Sequence, residues 1–68
     1  MGAAKNIKAA MLYKNIKQKD FAVEIGRDPQ IFYNMLSRDV FRWSEAEKIA
    51  DALGCDIVFR DRETGQLY

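Results

Sequence analysis

The chain has no histidine, a single cysteine and a single proline in 68 residues. Without imidazole, histidine-based acid–base catalysis is excluded and the commonest metal ligand is missing. One cysteine, Cys55, cannot close an intrachain disulfide, which fits a reducing, cytoplasmic setting. Its expected role is that of a small buried apolar residue rather than a reactive thiol. No apolar run approaches the roughly 20 residues that span a bilayer. No basic start followed by an apolar block marks a secretory signal. The opening Met1-Gly2 resembles an acylation site, but Asn6 stands where Ser or Thr is required. A glycine-rich phosphate loop and paired carboxylates with an evident pocket are also missing, so no enzyme, cofactor or small-molecule substrate is expected.

An excess of charge is lacking too: eleven basic residues face ten acidic ones, for a net +1. The charges are unevenly spread. Lys5, Lys8, Lys14, Lys17 and Lys19 meet no acid before Asp20, whereas the last third is acidic. A basic end can meet an anion such as nucleic acid. The plainer alternative is a solvated lysine-rich helix.

What is present is a run of helical patterns. The chain is short enough for one domain, residues 1–68. Residues 3–14 place Ile7, Ala10 and Met11 on one face, and Asn15 suits a left-handed stop. A second helix over about 18–25 turns Phe21, Ala22 and Ile25 inward, and Gly26 ends it. Asp28 can cap a third helix over about 29–37, with Pro29 in its first turn, where a missing N–H costs nothing. Residues 38–43 are expected as a loop that returns Phe41 and Trp43 to the core. Ser44 and Glu47 have capping-box spacing for a fourth helix over about 45–53, closed by Gly54. Its inner face is Ala46, Ile49, Ala50 and Leu53. Beyond it, Cys55, Ile57 and Phe59 alternate with Asp56, Val58 and Arg60, a strand pattern. Gln66–Tyr68 can return as a second strand, giving a hairpin over about 56–68.

The third helix carries two faces. Phe32, Met35 and Leu36 are apolar at helical spacing. Gln30, Tyr33, Asn34 and Ser37 share the other side and can all form hydrogen bonds.

The stretch QKDFAVEIGRDPQIFYNML, residues 18–36, resembles the helix-turn-helix unit of the phage-repressor (Cro-like, XRE) family. Gln18 stands where that family opens its second helix with Gln. Ala22 matches the small residue that lets the helices approach, Gly26 the corner, and Phe32 and Met35 the seat of the third helix. WSEAEKIADALGC resembles the helix that follows in many small members. The resemblance implies a mainly α, compact four-helix, lambda-repressor-like domain with the helix-turn-helix at about 18–37, here ending in a short C-terminal β-hairpin. It also implies a small, bacterial or phage-encoded transcriptional regulator that binds double-stranded DNA.

By that resemblance the third helix enters the major groove. Gln30 and Asn34 carry amides that pair bidentately with adenine, and Tyr33 can reach a base or phosphate. Gln18, Lys17, Lys19, Ser37, Arg38 and Arg42 are the expected phosphate contacts. Each has a plainer competitor: Gln30 and Asn34 as polar residues on a wet face, Tyr33 packed on a neighbour, the cations merely solvated. Ile31 can touch a thymine methyl, or belong to the core or a partner contact.

Three positions depart from the family pattern. Arg27 follows the corner glycine where an apolar residue is usual, so either the corner is less buried or the arginine swings outward. Lys17 replaces the usual Ser or Thr cap. The third helix has no basic residue before Arg38, while Asp28 and Asp39 flank it. Phosphate neutralisation drives non-specific affinity, so a single copy should bind DNA weakly and needs a second half-site or help from the N-terminal lysines. A homodimer through the hairpin, presenting two third helices to a palindromic operator, would supply the second half-site. The competing function is a helix-turn-helix scaffold that binds another protein instead of DNA.

Overall fold

The computed structural model describes residues 2–68. Its described residues form four helices: α1 (Ala3–Tyr13), α2 (Gln18–Glu24), α3 (Pro29–Arg38) and α4 (Trp43–Ala52). The apolar spacings predict the ends of these elements to within one residue, except for the start of α4, which lies two residues earlier than expected. Asn15 has φ +57° and Gly26 φ +75°, the left-handed geometry that stops α1 and α2.

The helices meet over one core of Ala4, Ile7, Met11, Phe21, Ala22, Phe32, Leu36, Ile49 and Leu53. Phe21 and Phe32 are its largest fully buried side chains, with ring centroids 5.8 Å apart and planes tilted by 50°. Ala22 is fully buried as well, and its small size lets α2 lie against α3. The main contacts of α1 are with α3 and α4, so α1 joins the helix-turn-helix pair to the rest of the chain. Lys14 of the α1 C-cap reaches the far end of α4. A Cβ at Gly54 would sit 3.7 Å from Lys14 Nζ, which places the ammonium by the carbonyl end of α4.

Helix α4 begins earlier than the Ser44–Glu47 spacing suggests. Its N-cap is Arg42, whose N–H donates to Glu45 Oε1 at 3.2 Å. Glu45 is thus the capping-box acid in place of Glu47. Arginine has no acceptor, so the reciprocal arm is missing. The earlier start changes the fate of Trp43. It becomes the first residue of α4, 53% exposed, and stacks on Phe59 at 5.9 Å instead of entering the core. Phe41 does pack, half-buried, against the core, as does Cys55.

The hairpin is reduced to a single antiparallel bridge, Arg60 with Leu67, and no strand forms among the described residues. Asp61 N donates to Gln66 O, and Tyr68 N to Phe59 O. The pairing does not extend from these contacts to residues 55–58. The turn between is held by Asp61 Oδ1, which accepts from Glu63 N and Thr64 N.

Candidate nucleic-acid interface

Helix α3 is held at its start by Asp28. Its Oδ1 accepts the amides of Gln30 at 2.8 Å and Ile31 at 3.3 Å, with Pro29 in the first turn. Phe32 and Leu36 point inward and are buried, while Met35 is half-buried. The opposite face is open. Gln30, Ile31, Tyr33, Asn34, Ser37 and Arg38 are all exposed. Gln30 Nε2 donates to Asn34 Oδ1 at 3.2 Å, one helical turn along. The pairing joins two exposed amides and occupies neither Gln30 Oε1 nor the Asn34 amide N–H groups.

Ile31 and Tyr33 lie on the solvent side of α3, 53% and 55% exposed. Neither belongs to the core.

The start of α2 is built differently. Its N-cap, Lys17, makes no side-chain capping bond. Gln18 is half-buried, while Lys17 and Lys19 are exposed. Arg42 is exposed at the head of α4. The expected contacts therefore fall on the outer face of α3 (Gln30, Tyr33, Asn34, Ser37, Arg38), at the start of α2 (Lys17, Gln18, Lys19) and at the head of α4 (Arg42).

Three acids have sites of their own. Asp39 ends α3 in a left-handed conformation, φ +55°, and its Oδ1 accepts the amide of Ala4 at 2.9 Å. Helix α1 has no acid in its first turn, so Asp39 supplies the negative charge favoured there. The Ala4 N–H, helped by the charge of Lys8, holds the Asp39 carboxyl below the usual carboxylate range. Glu45 is lowered chiefly by the Arg42 N–H and then by Arg27. Arg27, after the corner glycine, does turn outward, and its Nη2 pairs with Glu45 Oε2. Its Nη1 lies 3.8 Å from Met35 Sδ. Asp61 is lowered by the amides of Glu63 and Thr64.

Sequence reasoning missed Asp39 and the partner of Arg27. Asp39 acts across thirty-five positions, so no local pattern shows it. For Glu45 a signal existed: counted from Arg42, it stands at the N3 position of a capping box.

A family model described as the Cro/C1-type HTH DNA-binding domain matches residues 6–58. The chain belongs to that family. None of the curated proteins and none of the solved structures gives a match. The Cro/C1-type assignment agrees with the four-helix order, the α2–α3 corner at Gly26 and the buried small residue Ala22. The matched span also takes in α4 and the first residues of the C-terminal segment. This Cro/C1-type domain is thus a DNA-binding module of a small regulator, with double-stranded DNA as its partner class. No helix among the described residues is long and apolar enough to cross a membrane, and none of their acids and cysteine cluster as a metal site would need.

Proposed function

We propose that the protein is a sequence-specific transcriptional regulator that places α3 in the major groove. The observation that carries this reading is the outer face of α3, where Gln30 and Asn34 stand exposed and joined on a helix whose other side is fixed in the core. Amides in that position can read adenine N6 and N7, each good pair being worth roughly 1–3 kcal/mol of discrimination. Tyr33 is the third base-contacting residue. Ser37 and Arg38 at the far end of α3, Lys17, Gln18 and Lys19 at the start of α2, and Arg42 are the phosphate contacts.

The working unit is a homodimer on a palindromic operator. Val58, Phe59 and Leu67 are exposed on the C-terminal segment and give two copies apolar surface to bury. Two domains also double the phosphate contacts, which offsets the sparse charge of each α3.

The test is fluorescence anisotropy with random duplex DNA at low and moderate salt, followed by selection of the operator. Affinity that falls steeply with salt, then enrichment of a palindrome, is the expected result. A folded protein that binds no duplex at low salt would refute this reading. It would favour the second one, a protein-interaction module, for which the exposed Ile31 and Tyr33 speak.

A further inference from the structure

Helix α4 makes its main helix contacts with α1, not with the helix-turn-helix pair. The C-terminal segment follows α4 directly and stacks back on its first residue through Phe59 and Trp43. Anything that turns α4 against α3 therefore also turns that segment. One polar cluster ties α4 to the corner between α2 and α3. Glu45 Oε1 accepts the Arg42 N–H at the head of α4, while Oε2 holds Arg27 Nη2. Arg27 Nη1 rests by Met35 Sδ on α3, and the Arg27 N–H donates to Ala22 O on α2 at 2.8 Å. A planar guanidinium can bridge such partners at fixed angles, which an ammonium cannot do. Its neighbours explain why a charged residue is accommodated after the corner glycine.

From this arrangement we propose that Arg27 and Glu45 are positioning residues that fix α4, and with it the C-terminal segment, against the recognition helix. The pair adds little to folding, because exposed ion pairs contribute about 0–1 kcal/mol. Its work is geometric. In the dimer proposed above, on which this consequence rests, it sets the separation of the two α3 helices and so the half-site spacing that is accepted.

The variants are Glu45→Gln, Arg27→Met and Arg27→Lys. Gln at 45 keeps an acceptor for the Arg42 N–H and removes only the ion pair. Residual dipolar couplings of the free protein read the result without DNA. In the wild type, α3 and α4 are expected to fit one alignment tensor. Glu45→Gln and Arg27→Met are expected to change the α3–α4 angle or lower the order of α4 with melting little altered, and Arg27→Lys to restore it in part. High salt should move the unmutated chain the same way, because it screens an exposed pair. Unchanged couplings in both charge-removing variants and in salt would overturn the proposal. On DNA, the same variants should lose several-fold in discrimination between the selected operator and one with an extra base pair between half-sites, while random duplex binds as before. A wild type that binds no DNA would refute the functional reading alone, since the couplings still decide the role of the pair.

Discussion

Gln30 and Asn34 share a hydrogen bond, so neither acts alone. Replacing either with Ala should relax base preference by about 1–3 kcal/mol of discrimination while the helices melt as before, because both side chains are exposed. The double variant should cost clearly less than the sum, as expected of residues in contact. Binding to the selected operator and its single-base variants, beside thermal melts by circular dichroism, checks both points. Unfolding of Asn34→Ala would instead assign Asn34 to the scaffold. Phe32 is the opposite case. Fully buried against Phe21, its change to Ala should cost about 3–5 kcal/mol, a large part of what a small domain possesses. Urea titration reads that loss directly.

At the scale of the element, Gly26 and Asp39 decide where helices end. A Cβ at Gly26 would meet no atom within 4 Å, so Gly26→Ala tests the left-handed backbone alone. It should cost about 1–2 kcal/mol and shift the urea midpoint without changing the slope. Asp39 also caps α1, and its carboxyl, like those of Glu45 and Asp61, is held below its ordinary range. A carboxylate lowered by folding stabilises the native state above its unfolded pKa and loses that effect as pH falls through its folded pKa. The melting temperature should therefore decline below about pH 4. Asp39→Asn keeps an acceptor in a tolerated left-handed conformation and removes one titrating group. It should flatten part of that decline, seen as a smaller difference between melts at neutral and acidic pH.

The same elements show what local chemistry reveals. Asp28, Pro29 and Gly26 mark the borders of α3 and its corner by themselves, so the two-faced helix is legible from the sequence. The start of α4 is not, because Ser44 to Glu47 and Arg42 to Glu45 have equal spacing. The second frame holds in a fold where Arg27 also reaches Glu45, a contact between distant positions. Trp43 follows from that choice of frame. Asp39 reads locally only as a flanking acid, since Ala4 approaches it through tertiary packing. Polar outer residues of α3 are visible by periodicity, whereas the roles of Lys17, Lys19 and Arg42 depend on where the DNA backbone runs.

For the whole molecule, the charge gradient and the apolar C-terminal segment bear on assembly. If the proposed dimer forms through this segment, Val58→Asp, at an exposed position, should leave the monomer folded, shift sedimentation toward the monomer and weaken operator binding. An unchanged sedimentation profile would refute a dimer through this segment. The protein's single tryptophan, Trp43 at the head of α4, lies outside the core and stacks on Phe59 of that segment. Its emission reports whether the tail is docked, whereas far-ultraviolet ellipticity reports the helices. If the tail lifts first in denaturant, the two signals will give different midpoints, and a fluorescence curve would understate the stability of the helical core.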